Sequence, residues 1–149
     1  MSEPGIVCEL IADGRHVSPT LIRMLYFAKG PDGICLVTDA SAGAGLPEGT
    51  PFLLGEIKGV VRDNVGLTAD GAALAGSTSS MIRLVKVMVE EAHVSLAEAV
   101  RMATVNPARA MKLERKGGLD RGMDADLVIF NDAFEVEATY IAGKAVYQR

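Results

Sequence analysis

Apolar positions change their spacing several times along this chain, and each change marks an element. Val7-Cys8-Glu9-Leu10-Ile11-Ala12 is a β-favouring run that breaks at Asp13-Gly14-Arg15-His16. Ile34-Cys35-Leu36-Val37-Thr38 is a second such run, ending on Asp39-Ala40 and the small-residue loop Ser41 to Gly45. Between the two, Ser18-Pro19 has the chemistry of a helix start: a capping hydroxyl, then a proline in the first turn. Leu21, Met24, Leu25 and Ala28 predict the apolar face of that helix, and Gly30-Pro31 its end. Strand, helix and a second strand from Gly33 to Asp39 make a βαβ unit, which requires parallel pairing and a right-handed crossover.

From Pro51 to Ala73 short apolar pieces (Phe52-Leu53-Leu54, Val60-Val61, Val65 to Thr68) alternate with Gly and Asp turns, predicting a β-hairpin excursion. Helical spacing returns after Gly76-Ser77-Thr78, with Met81, Leu84, Val85, Met88 and Val89 on one face. Ser95 with Glu98 three residues on is a capping box opening another helix. Asn106-Pro107 opens a third, short one that ends near Leu113. Leu127 to Phe130 and Ala138 to Tyr147 are β again, with Gly143-Lys144 as the hairpin turn. Only two strands suit a parallel sheet, and two cannot bury both faces of one. The pattern reads as part of something larger.

The chain's 149 residues suffice for one domain with a core, and 49% hydrophobic against 23% charged positions exclude a disordered chain. A net charge of −4 gives no footprint for nucleic acid or an acidic membrane surface. Small anionic ligands stay open, since one Arg or a helix N-terminus can hold phosphate on an acidic protein. Cys8 and Cys35 both fall in strands, so free thiols packed as small apolar groups are expected. No apolar run has the length of a membrane span and no signal-peptide pattern opens the chain, so a cytoplasmic protein is expected.

The candidate chemistry lies where strands end, because side chains there leave a parallel sheet for a shared cavity. Asp39 is a candidate general base, and a simpler alternative is an aspartate that caps the loop Ala40 to Gly45. His16 is a candidate ligand contact or a surface histidine after a turn. Asp13 and Gly14 shape that turn, Gly14 by permitting a positive φ, and Arg15 faces solvent. Leu74-Ala75-Gly76 precedes a helix expected to start at Ser77. Its backbone N–H groups could face a polar ligand, or Ser77 and Thr78 could simply be caps. Met81, Met88 and Met102 are expected in the core, and His93 on the surface at a helix end. With His16 and His93 the only histidines, no motif has zinc-site spacing.

The order of these pieces resembles the C-terminal part of the N-acetylglucosamine-6-phosphate deacetylase family, in the amidohydrolase superfamily. The segments that carry the resemblance are Leu10-Ile11-Ala12-Asp13-Gly14-Arg15-His16-Val17, Leu36-Val37-Thr38-Asp39-Ala40 and Leu74-Ala75-Gly76-Ser77. Asn106-Pro107-Ala108 follows, then Gly118-Leu119 and Gly122 through Ala125-Asp126-Leu127-Val128. Together they cover almost the whole chain. The resemblance implies an α/β fold, the C-terminal fragment of a metal-dependent (β/α)8 hydrolase barrel with its last two strands and helices. Strand seven would end near Asp13 and strand eight at Asp39. Residues 1–117 would be partial barrel with a hairpin insertion near 51–73, and residues 118–149 C-terminal strands of a small β-sandwich. Glu3-Pro4-Gly5-Ile6-Val7 resembles a family segment that lies further upstream of the seventh strand. Here it abuts that strand, as a deletion or an artificial junction would leave it.

The resemblance also implies hydrolysis of N-acetylglucosamine 6-phosphate to glucosamine 6-phosphate and acetate, in amino-sugar catabolism. Asp39 would take a proton from water and return it to the leaving amine. Asp13, Gly14, Arg15 and His16, with Leu74, Ala75 and Gly76, would contact the phosphosugar. The family's divalent metal, zinc or similar, is held by a Glu and two His that would lie upstream, so this chain alone should bind none. A phosphate-binding Arg would lie upstream as well. The expected partners are the phosphosugar and either a second copy of the chain or the absent barrel strands. The rival expectations are a non-catalytic, self-associating remnant, whose exposed edges at Leu10-Ile11 and Leu36-Val37 would favour association or aggregation, and an amidohydrolase acting on another amide.

Overall fold

The structure, a computed structural model, describes Glu3 and residues 5–149. The upstream-like segment Glu3 to Val7 therefore falls partly outside the described residues, at Pro4. The fold is mixed α/β, with three separate sheets among the described residues. Strands β1 (Cys8–Leu10) and β2 (Ile34–Leu36) pair in parallel, Cys8 opposite Ile34 and Leu10 opposite Leu36, as the βαβ pattern requires. Helix α1 (Pro19–Lys29) connects them, and Ser18 Oγ accepts from Leu21 N at 3.4 Å as its N-cap. A single 3₁₀ turn, Pro31–Gly33, leads into β2.

The buried face of α1 differs from the expected one. Ile22 is fully buried with Leu25 and Tyr26 packed beside it, whereas Leu21, Met24 and Ala28 are exposed. Both stripes are apolar, so spacing alone does not choose between them. What chooses is the core that Ile22 joins, with Leu10, Ala12, Ile34 and Leu36.

Helix α2 (Met81–Glu90) contributes Leu84, Val85 and Met88 to the same core, the face its spacing predicts. It begins four residues later than expected, with Ser80 rather than Ser77 at the N-cap position. Helix α3 (Leu96–Ala103) starts on the predicted capping box: Ser95 Oγ accepts from Glu98 N at 3.4 Å and donates to its carboxylate at 2.5 Å. Glu98 also accepts from Tyr26 Oη at 3.0 Å, tying α3 to α1. These hydrogen bonds hold the Glu98 carboxyl below its ordinary range, that from Ser95 most. Met102 and Met88 are fully buried and Met81 packs against the cluster, as expected. His93 is exposed just past α2.

Helix α4 (Val105–Ala110) is shorter than predicted, and Asn106 lies inside it rather than capping it. Its side chain is buried, and Nδ2 donates to the carbonyls of Pro31 and Ile34, each at 2.6 Å. That tether fixes where β2 begins.

The region from Pro51 forms a four-stranded antiparallel meander: β3 (Pro51–Leu54), β4 (Ile57–Arg62), β5 (Val65–Thr68) and β6 (Leu74–Ser77). Asp63 and Asn64 turn β4 into β5 with φ of 51° and 63°, the left-handed pair a two-residue hairpin requires. The tail forms a separate antiparallel sheet of β7 (Leu127–Phe130), β8 (Val136–Ile141) and β9 (Lys144–Gln148). Its last turn is Ala142-Gly143, one residue earlier than expected. Cys8 is half-buried, Cys35 is buried, and both are free. Burial pushes the Cys35 thiol up, with Glu9 adding to it, so this sulfur is a packing group. No helix among the described residues is long and apolar enough to cross a membrane.

Candidate active site

The parallel register of β1 and β2 determines what stands together at their C-terminal ends. Val37 N donates to Leu10 O at 3.1 Å, so the strands stay paired one step beyond their last ladder residues. Asp13 follows β1 and Asp39 follows β2, each three residues past the last paired position, Leu10 opposite Leu36.

Asp39 adopts φ 46°, a left-handed conformation uncommon outside glycine, and is exposed. It does not cap the following loop. Ser41 does that, accepting from Gly43 N on Oγ at 3.4 Å and from Ala44 N on its carbonyl at 3.0 Å. Among the described residues the Asp39 carboxylate has no hydrogen-bond or ion-pair partner. A non-glycine residue held at positive φ with an unengaged carboxylate at a strand mouth is a functional candidate on geometry.

Asp13 is buried and shapes the turn as its position suggests. Its Oδ1 accepts from Arg15 N at 2.9 Å and His16 N at 2.8 Å, and its Oδ2 lies 2.7 Å from His16 Nδ1. Asp13 is thus a support for His16 rather than a surface contact, and the Asp-x-x-His spacing was the signal for it. Gly14 does hold a positive φ, 77°. Arg15 is exposed as expected, its guanidinium 4.0 Å from Asp63 at the tip of the β4–β5 turn.

Leu74, Ala75 and Gly76 are not a loop before a helix: they form β6, antiparallel to β5. The spacing of small residues hid this, because Gly76 interrupts any alternation. Ala75 is buried with Phe52 and Val61, so only its backbone could meet a ligand, while Leu74 is exposed. The strand reaches the candidate base. Ser41 N donates to Ser77 O at 2.8 Å, and Ala40 bridges Ser77 in parallel, so the chain after β2 becomes the neighbour of β6. Gly76 has φ 87°, and a Cβ there would stand 2.8 Å from Ser41 Cβ. Only glycine allows that approach.

Of the three candidate segments, Asp39 and β6 are brought side by side, while the Asp13–His16 turn follows β1, the parallel partner of the strand that leads to Asp39. Sequence reasoning missed Ser41 and Ser77, the residues that join two of them, and Asn106, which anchors β2 from behind.

The chain matches the amidohydrolase family over residues 1–146. It belongs to that family. As an amidohydrolase relative, it is 37% identical over 140 residues to human N-acetylglucosamine-6-phosphate deacetylase, covering 93% of this chain and 34% of that one. The crystal structure of the Pasteurella multocida enzyme of that name superposes with a TM-score of 0.86 at 33% identity, over 96% of this chain and 37% of the other. The Mycobacterium smegmatis enzyme, solved as an Asp-to-Ala variant with N-acetyl-D-glucosamine 6-phosphate, superposes with a TM-score of 0.85 at 35% identity. That match covers 94% of this chain and 37% of the other. The chain thus spans about a third of the length of the curated relatives it matches.

The family's chemistry implies a divalent metal, and the residues present do not fit one. Among the described residues no three His, Cys, Asp or Glu side chains gather where a metal ion could sit.

Proposed function

We propose that this chain contributes the base and the substrate contacts to hydrolysis of N-acetylglucosamine 6-phosphate, yielding glucosamine 6-phosphate and acetate. The observation that carries the reading is Asp39, exposed and unengaged at φ 46°, beside β6 through the Ala40–Ser77 bridge. Such a carboxylate can take a proton from an attacking water and return it to the departing amine. His16 orients the phosphosugar, and the backbone of Leu74, Ala75 and Gly76 walls the pocket. Arg15 borders it.

In this reading residues 1–117 are part of a (β/α)8 barrel, with β1 and β2 as its last two strands. The β3–β6 meander is an insertion, and residues 118–149 are strands of a β-sandwich. Parallel pairing of β1 with β2 and the separateness of the tail sheet support that division. Metal ligands would be supplied from outside this chain.

Acetate release from N-acetylglucosamine 6-phosphate with added Zn²⁺, beside an Asp39→Asn control, tests the proposal. Turnover that the substitution abolishes supports it. A folded chain that neither turns over nor binds the phosphosugar favours a second reading, a non-catalytic chain that associates with copies of itself. Leu21, Met24 and Phe27 on α1, 54%, 60% and 71% exposed, are the observation behind that reading.

A further inference from the structure

We propose that Asp13 is a positioning residue: it holds the proton of His16 on Nδ1, so that Nε2 is the ring atom a ligand meets. The inference rests on the site described above and adds which atom of His16 faces the ligand. Asp13 has no exposed side-chain surface, and both its oxygens act as acceptors. Oδ1 receives the amides of Arg15 and His16 at 2.9 and 2.8 Å, which fixes the backbone of the turn that carries the ring. Oδ2 stands 2.7 Å from Nδ1, and an ionised carboxylate can only accept, so the proton between them belongs to the imidazole.

The backbone and one edge of the ring are thereby fixed by one buried carboxylate. The other edge is free: the His16 side chain keeps 17% of its surface exposed, and no described residue bonds Nε2. Which ring nitrogen carries the proton follows from the hydrogen bond the other makes. A neutral ring then offers the Nε2 lone pair to an O–H or N–H of the ligand. A charged ring offers an N–H to an anionic group at the same point. In either state the contact atom and its direction are unchanged.

A long-range ¹H–¹⁵N correlation spectrum of the whole chain, recorded above the pH at which imidazole titrates, reads the tautomer directly. The chain has two histidines, and exposed His93 serves as an internal comparison. The expected result is a protonated Nδ1 and a bare Nε2 at His16. Asp13→Asn keeps one oxygen for the two amides but turns an NH₂ donor toward Nδ1. It is expected to move the proton to Nε2. A wild-type His16 protonated on Nε2, or averaging between tautomers as a free histidine does, overturns the proposal. So does an unchanged tautomer in a folded Asp13→Asn chain. If that variant does not fold, the wild-type spectrum decides alone. No substrate or turnover enters the measurement, so failure of the deacetylase reading leaves this result standing, and the reverse holds too.

Discussion

Asp39 and Asn106 are polar residues of similar size with opposite fates. Asn106 is spent on structure, giving both amide protons to the carbonyls of Pro31 and Ile34. Asp39 gives its carboxylate to nothing described while its backbone is held at φ 46°. Asn106→Ala should therefore cost roughly 1–3 kcal/mol in chemical denaturation, the penalty of buried carbonyls left unpaired. Asp39→Asn should change stability by less than about 0.5 kcal/mol, since asparagine tolerates the left-handed region. Asp39→Ala should be less stable than Asp39→Asn by about 1 kcal/mol, the cost of that backbone conformation without a short polar side chain. If turnover is observed, Asp39→Asn should lower it by roughly 100-fold or more, the scale of a lost general base. The candidate base was legible in the sequence because an acid closing an apolar run is a visible break. The burial of Asp13 was not, because a turn aspartate and a buried acceptor share one local sequence.

Among the elements, those with strong local signals match the sequence reading: the Ser18 cap of α1, the Ser95–Glu98 box of α3, and the apolar face of α2. Strand β6 was missed because Leu74-Ala75-Gly76-Ser77 is short and carries no alternation, and one of its partners, Ala40, lies far off in the chain. The meander depends on one ring. A Cβ at Gly59 would lie 2.5 Å from Phe52 Cζ, and one at Gly66 2.6 Å from the same atom. Gly59→Ala should cost about 1–3 kcal/mol through overpacking. In a double-mutant cycle the cost should shrink once Phe52→Leu removes the ring, whereas independent sites would simply add. At the other end of the chain, Lys116 bonds Asp124 and Asp126, and Asp126 accepts from Ala142 N at 2.8 Å. The Lys116 hydrogen bonds hold both carboxyls below their ordinary range. Carboxyls lowered in the fold stabilise it above their unfolded pKa, and that contribution disappears as pH falls through the lowered folded values. The protection factor of the Ala142 amide, its exchange corrected for the intrinsic pH dependence, should therefore fall on acidification below the usual carboxylate range and stay constant around neutrality. An unchanged Ala142 amide at low pH would show that the cluster does not hold the turn.

For the whole molecule, the mixed α/β class was legible, and so was the parallel pairing of its two strands around a helix. The choice of apolar stripe on α1 was not, since it depends on what packs over β1 and β2. Leu21, Met24 and Phe27 remain exposed, as do Val128, Ile129 and Val146 on the tail sheet. Under the second reading, sedimentation equilibrium should give a mass above that of the monomer, which Phe27→Asp should lower. The central claim is different and more local: three distant segments make one ligand site. Amide shifts followed during titration with N-acetylglucosamine 6-phosphate test it most directly. The account predicts perturbations concentrated at His16, Asp39, Ala40 and Ala75 to Ser77. Saturable shifts confined to other residues, or none in a folded chain, would contradict it.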